Sequence, residues 1–444
     1  MRAERDKLGE IQLPDDALYG AQSARARENF DLAYKSTNLR LIHAIIKIKK
    51  SAAIVYEKLL PERADVYRAI IGACDLVLSG GAGPEREMFI VDALQGGAGT
   101  STNMNVNEVL ANLALQIMGR TRGEYGAVHP IDDVNRGQST NDVYPTALRI
   151  ASIELLRDLS DECARLQRSL QARESEFDEV RKLGRTELMD AVPVTLGMEF
   201  GAYAQAIARD RWRLYKAEER LRQVNIGGTA VGLSDNASRK YRFGVIEELR
   251  KITGMGLAAA EYPMDITQNN DVFVEISGLL KALAVNLMKM SNDLRLMNSG
   301  PHGGIGEIKL AGLQAGSSIM PGKTNPVIPE MAIQVAMKVM AGDCAITSAA
   351  SHGEFELNAF LPLIADTLLE NMSLLERALF IFRVRCVELL APNRERCEEL
   401  LDGSCAFAAA YVPILGYDRV ARVIDDNGGD AAKTRAELRA LSGG

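Results

Sequence analysis

Residues 316–326 read GSSIMPGKTNP, and the Gly-Lys-Thr inside them also occurs in nucleotide-binding loops. Counting separates the two readings. A phosphate-binding loop places a glycine, then four residues, ahead of Gly-Lys-Ser/Thr. Here the required glycine falls on Ser317, and Gly316 lies one place too far. Asn325-Pro326 follows at once, and proline disfavours helical geometry in the residue before it, so no phosphate-binding helix opens on Lys323. What remains is a polar loop with two hydroxyls (Ser317, Ser318), a cation (Lys323) and an amide (Asn325), flanked by Gly316 and Gly322. These groups suit carbanion chemistry. Removing a proton beside a carboxylate builds charge on that carboxylate, which a lysine and backbone N–H donors stabilise. A serine takes such a proton only where its alkoxide is favoured. The competing reading of the loop alone is a surface turn rich in Gly and Pro.

Composition narrows the setting. Aromatics make up only 5% of the 444 residues while apolar residues make up 47%, so Leu, Ala, Val, Ile and Met fill the core, which favours packed helices. A formal charge of -7 gives no general attraction to nucleic acid or anionic membranes, so neither is expected as a partner. The six cysteines have no CxxC spacing and there are four histidines, which indicates neither a disulfide framework nor a zinc cluster; no metal site is expected. MRAERDKLGEIQ has neither an apolar core nor an Arg/Ser-rich pattern, so a cytoplasmic, soluble protein is expected.

Helical periodicity runs along much of the chain. Ile276, Leu280, Leu283, Leu287, Met290, Leu294 and Met297 follow three- and four-residue steps, stopped by Ser299-Gly300-Pro301. A second pattern runs from Thr140 to about Glu179. MAIQVAMKVM, 331–340, is apolar nearly all round and belongs in a bundle core or a subunit interface. Residues 355–390 give a further helical stretch, with Pro362 as a kink. No strong strand alternation is evident. These patterns predict a mainly α chain with an N-terminal helical domain over 1–133, a central long-helix bundle over 134–390 and a small C-terminal domain over 391–444.

Polar clusters like the opening one recur three times. GGAGTSTNMNVNEVLAN (96–112) carries Thr100, Ser101, Thr102 and Asn103; VHPIDDVNRGQSTNDVYPT (128–146) carries Ser139, Thr140 and Asn141; GRTELMDAVPVTLGMEF (184–200) carries Thr186 and Glu187. For any single hydroxyl among them a helix N-cap is the more common role. Three clusters beside a Ser/Lys loop are better explained together.

Together the four segments resemble the aspartase/fumarase superfamily, whose signature is GSSxMPxKxNP, in the right order and over most of the chain. The resemblance implies a three-domain, mainly α fold with an elongated central bundle, a homotetramer with active sites shared between three subunits, and β-elimination on a small carboxylate substrate without a cofactor. Ser317 matches the catalytic base. Lys323 and Asn325 match ligands of the substrate carboxylate, with Ser318 beside them. Thr100, Ser101, Thr102 and Asn103 fall in the first substrate loop, and Ser139, Thr140 and Asn141 in the second. Thr186 matches a further contact, and Glu330 an acid that orients a neighbouring group.

Departures from the family bear on the substrate. Fumarases resemble GRTHLQDAVP, whereas this chain has Glu187 in place of the histidine. With a similar backbone, Glu187 and Glu330 form a like-charge pair that holds a shared proton or a cation. Such a carboxylate opposes a dicarboxylate hydratase and suits a substrate bearing an ammonium, since opposite charges at 4 Å interact by about 4 kcal/mol at an effective dielectric near 20. The alternative is that Glu187 turns aside to an arginine. Ile131 replaces an amide in the family's HPND accessory anion site, leaving His129 a structural role, and Ala98 replaces a serine seen in fumarases. PILGYD, 413–418, is closer to fumarase. The leading expectation is a carbon–nitrogen lyase releasing ammonia from an α-amino acid, with aspartate the default. Its rivals are an ergothionase-like lyase releasing trimethylamine from a betaine, fumarate hydratase, and a non-catalytic crystallin-like oligomer.

Overall fold

The structure is a computed structural model that describes residues 1–443. Its long elements are helices α1 (Ala21–Asn29), α2 (Leu39–Leu59), α3 (Ala64–Leu78), α4 (Thr100–Ile117), α5 (Thr140–Glu176), α6 (Leu196–Leu221), α7 (Arg239–Thr253), α8 (Asp271–Met297), α9 (Val327–Ala350) and α10 (Leu361–Phe382). Two compact units divide the chain. The first takes Met1–Asp158, Leu214–Lys281 and Val339–Ser373, and the second takes Leu159–Arg213, Ala282–Lys338 and the residues from Leu374 onward. Helices α5, α6, α8, α9 and α10 each contribute one segment to either unit.

In the first unit, strands β1 (Arg2–Asp6) and β2 (Gly9–Leu13) form an antiparallel hairpin. Helix α2 buries Ile45, Ile46 and Ile48 against its neighbours, and its Tyr56 ring stacks on Tyr67 at 5.6 Å and Tyr241 at 4.8 Å. Helix α4 is buried without a break from Thr102 to Leu115, although it carries five polar residues in that span after Thr102. Such a helix is tolerated only where its polar groups find partners. Glu108 accepts the backbone N–H groups of Gly20, Gln22 and Ser23, and so closes the start of α1. Asn105 receives Ile90 N–H and donates to Met88 O. Helix α4 starts where it does because Gly99 sits at φ +92°, and a Cβ there would lie 2.3 Å from the Tyr144 ring.

In the second unit, β3 (Arg181–Thr186) and β4 (Met189–Thr195) pair antiparallel around a two-residue turn, Glu187-Leu188, with φ of +55° and +65°. Both central residues of this turn class need positive φ. The hairpin is anchored beneath the surface. Lys182 Nζ contacts Glu199 at 2.6 Å and Glu307 at 3.1 Å, and Arg185 donates twice to Glu307 at 2.9 and 3.0 Å. The C-terminal helices over residues 417–426 and 431–442 share a small core of Ala408, Val420, Val423 and Leu438, while Leu401 of the helix over 394–402 packs with Leu183 of β3 and Ala406.

The periodic stretches read from the sequence match α8 and most of α5 within a few residues, and the apolar stretch 331–340 falls inside the longer α9. Two details differ. Pro362 does not kink a helix begun at Phe355; it is the second residue of α10, where its missing N–H costs nothing, and α10 ends at Phe382. The third polar cluster lies on a β-hairpin, and the N-terminal region opens with another. Helix α9 buries Ala332, Ala336 and Val339 within the chain and leaves Met337 56% exposed.

Removing one member of a buried charge cluster strands its partners, at a cost of about 3–5 kcal/mol. Glu307→Ala is therefore expected to lower the thermal midpoint by several degrees in scanning calorimetry, and an unchanged midpoint would show that the cluster does not anchor the hairpin.

Candidate active site

Two groups of site residues emerge, one in each unit. In the first unit, Asn103 Nδ2 donates to Thr140 Oγ1 at 3.1 Å and to Asn135 Oδ1 at 3.1 Å, which brings the first and second polar clusters together. Thr140 opens α5, and its oxygen accepts from Asn103, so its own hydroxyl hydrogen is left to donate elsewhere. Ser139 Oγ likewise accepts Asn141 N–H at 3.2 Å. Thr100 and Ser101 line a cavity of about 1200 Å³ together with Arg25, Asn29, His129 and Ile131. Thr102 faces inward: Gln95 Nε2 donates to its hydroxyl at 2.8 Å, Thr37 Oγ1 lies 3.3 Å away, and it is 1% exposed. His129 Nδ1 accepts the N–H groups of Ile131 and Asp132 at 3.2 and 3.0 Å, which gives that ring a capping role.

A third loop completes this group, and the sequence reading had not singled it out. Asp142 Oδ2 accepts Gly227 N–H at 3.0 Å and Thr229 N–H at 2.9 Å, while its Oδ1 accepts Ser139 N–H at 3.0 Å. Asn141 Nδ2 donates to Ala230 O at 2.8 Å. The segment NIGGTAVGL, 225–233, is thereby fastened to the second cluster. Three glycines within nine residues were the available signal. Lys49 and Asn135 were also missed, because a lysine in the alternating run IKIKK reads as solvated and an isolated asparagine carries no pattern.

In the second unit, the opening stretch forms a closed loop. Gly316 N–H bonds Lys323 O at 2.9 Å and Asn325 Nδ2 donates to Gly316 O at 3.0 Å. A Cβ at Gly316 would lie 2.6 Å from Lys323 O, so only glycine permits this closure. Helix α9 starts at Val327, past Asn325-Pro326, which leaves no helix N-terminus on Lys323 and excludes a phosphate cradle. Within the loop, Ser317 Oγ accepts two backbone N–H groups, from Ile319 at 3.2 Å and Met320 at 3.0 Å. Ser318 and Lys323 are exposed. Glu330 lies on α9 with its carboxylate 3.8 Å from Arg295 Nη2. Glu187 is exposed at the hairpin tip beside Thr186 and forms no hydrogen bond or ion pair among the described residues, so the arginine expected as its alternative partner is not found there.

One unit thus presents hydroxyls and amides on helix starts, and the other a serine oxygen that accepts two N–H groups beside a lysine and an amide. The chain belongs to the family described as Lyase, which matches residues 9–341, and with it to the aspartase/fumarase superfamily. It is a lyase with the mainly α fold of that superfamily. Among its relatives, an aspartate ammonia-lyase from a Bacillus species is 43% identical over 95% of this chain and 90% of its own length. The crystal structure of a fumarate lyase:delta crystallin from Brucella melitensis bound to cobalt is 44% identical, covers 99% of this chain and 98% of its own, and has a TM-score of 0.93. A recombinant class II fumarase from Schistosoma mansoni is 32% identical over 99% of this chain and 95% of its own, also at a TM-score of 0.93.

Asp142 permits a test of the first group. Burial pushes its carboxyl from the ordinary 3.8 up to about 7, against the lowering effect of its three N–H partners. The folded protein thus keeps that proton to higher pH than the unfolded chain, so this group's contribution to stability falls as pH rises from 3.8 towards 7. Asp142→Ala strands three N–H groups and is expected to lower the denaturation midpoint, with a larger deficit at pH 5 than at pH 8. A deficit that grows with pH would overturn the assignment.

Proposed function

We propose that the protein eliminates ammonia from L-aspartate to give fumarate. The chemistry is carried by Ser317, whose oxygen already receives two backbone N–H groups and so has its alkoxide stabilised before substrate arrives. The substrate choice is supported by relatives at 40–45% identity that carry the name aspartate ammonia-lyase.

In the reaction, the Ser317 alkoxide takes a proton from Cβ, and the electron pair of that C–H bond passes into an aci-carboxylate on the adjacent carboxyl group. The pair then returns to form the Cα–Cβ double bond as the C–N bond breaks, and its electrons leave with nitrogen as ammonia. The abstracted proton stays on Ser317 until solvent removes it. Lys323 and Asn325 hold the carboxylate on which charge develops, with Ser318 beside them. Thr100, Ser101, Ser139, Thr140 and Asn141 bind the remaining polar groups of the substrate, while the buried Thr102 and Asn103 hold the loop that presents them. Thr186 adds a further contact, Glu187 attracts the α-ammonium, and Glu330 orients its neighbours. No step as written calls for a cofactor.

We further propose a homotetramer in which three subunits build each site. The unit-by-unit grouping of the site residues and the exposed Met337 face of α9 support it. A cytoplasmic location fits six cysteines that are all unpaired.

The test follows absorbance of the new conjugated double bond with aspartate, malate and trimethylammonium amino acids as substrates. Aspartate turnover is expected, and turnover of malate alone would refute the ammonia-lyase reading. Ser317→Ala is expected to lose activity by roughly a hundredfold or more, as removal of a general base does. A fully active variant would remove Ser317 from that role. Glu187→His is expected to raise KM for aspartate several-fold, and unchanged kinetics would leave Glu187 without a part in recognition.

A further inference from the structure

A lysine lies beneath the substrate loops of the first unit. Lys49, on α2, is 0% exposed, and its ammonium donates to Asn135 Oδ1 at 2.6 Å and Gln138 Oε1 at 3.0 Å. Among the described residues no carboxylate comes within ion-pair distance of it. Burying a cation without a counter-ion is costly. The cost is tolerated where the charge serves a function.

The hydrogen bonds lead from Lys49 to the site. Asn135 Oδ1 also accepts Asn103 Nδ2 at 3.1 Å and Asn107 Nδ2 at 3.3 Å, and its own amide hydrogen goes to Gln138 O at 3.1 Å. A cation on Oδ1 fixes which way the Asn135 amide faces, since the flipped amide would point N–H groups at an ammonium. Asn103 can then spend its two amide hydrogens on Asn135 and Thr140. Thr140 consequently accepts from Asn103 and keeps its hydroxyl hydrogen for another acceptor. The ammonium thus acts in two ways: it sets the donor direction of the Thr140 hydroxyl, and it places a positive charge three hydrogen bonds away from it.

We propose that Lys49 is a positioning residue that pre-charges this part of the site for a carboxylate, the anion completing a counter-charge that Asp142 supplies only from beyond ion-pair distance. The proposal rests on the reading of Thr140 as a substrate ligand. Titration around Lys49 gives it a signature. The titratable groups that act on it are Asp142 from α5 and Cys74 from α3; Tyr56 on its own helix and Tyr241 from α7 act in turn on Asp142, and Tyr67 from α3, flanked by Asp133 and Arg136 between α4 and α5, lies against Tyr56. Burial pushes the three tyrosines and Cys74 up, so they stay neutral between pH 6 and 9. Burial lowers the Lys49 ammonium to about 7, opposed by Asp142, and raises Asp142 towards the same value. Both groups lose positive or gain negative charge as pH rises through that range, so carboxylate affinity falls with pH.

The experiment measures succinate binding by calorimetry from pH 6 to 9 in the intact protein, alongside the turnover panel. Succinate needs no turnover, so a failure here is distinct from a failure to act on aspartate. Wild type is expected to bind succinate more weakly as pH rises. Lys49→Met is expected to bind it at least tenfold more weakly at pH 6, with a shallower pH profile and unchanged far-ultraviolet circular dichroism. Lys49→Gln keeps a donor to Asn135 while losing the charge, and guards against misfolding of the first variant; a several-fold loss and a shallower profile are expected. Dissociation constants within threefold of wild type in both variants, or wild-type affinity for succinate that is absent or rises with pH, would overturn the proposal.

Discussion

One buried carboxylate ties the substrate loops of the first unit together. Asp142 holds the N–H groups of Ser139, Gly227 and Thr229, and so joins the start of α5 to a glycine loop 85 residues further along the chain. Helix starts leave N–H groups unpaired, and glycine loops leave more, so a polar cluster buried at a helix start needs an acceptor that reaches several donors at once. Glu108 does the same for α1, and Glu307 for the cations of β3. In each case a carboxylate from a rigid helix or a distant segment fixes a loop that propensity alone would leave mobile.

These anchors also settle an electrostatic difficulty. The chain carries a net charge of -7, yet its proposed substrate is an anion, so the overall field does not draw substrate in. Under the proposed function, recognition rests on local donors: the Lys323 ammonium, hydroxyls whose oxygens already accept a hydrogen bond, and backbone N–H groups. Ser317 is the sharpest case. Its two N–H partners lie in its own loop, and closure through Asn325 and Gly316 holds the loop in the shape that directs them.

Much of this was legible in the sequence, for reasons that vary from residue to residue. The spacing from Ile276 to Met297 announced α8 because a single buried stripe governs it. The helix start at Thr140 was legible from its hydroxyls and amides. The β3–β4 hairpin was not, since its turn is Glu187-Leu188 and lacks the glycine or asparagine that signals positive φ. Pro362 misled because a proline read inside an apolar run suggests a kink, whereas the chain is non-helical from the end of α9 at Ala350 to the start of α10 at Leu361, with Phe355 at positive φ between them. Lys49 and Asn135 were illegible because their role depends on contacts 86 residues apart.

The fold itself does not distinguish an ammonia-lyase from a hydratase. The chain superposes on a class II fumarase at a TM-score of 0.93, while its sequence lies nearer the aspartate ammonia-lyase of a Bacillus species, at 43% identity against 32%. The difference in substrate must therefore lie in a few side chains placed on a shared frame. Glu187 has the properties such a residue needs. A left-handed backbone at a glutamate costs of order 1 kcal/mol, which glycine would avoid. The carboxylate forms no ion pair within the described chain that would offset that cost. The hairpin beneath it is fixed by four buried or half-buried charges, so the tip is held in place rather than free to relax. A strained, unpaired anion on a rigid support is a poor stability element and a good recognition element for a cation. Aspartate offers an ammonium where malate offers only a hydroxyl.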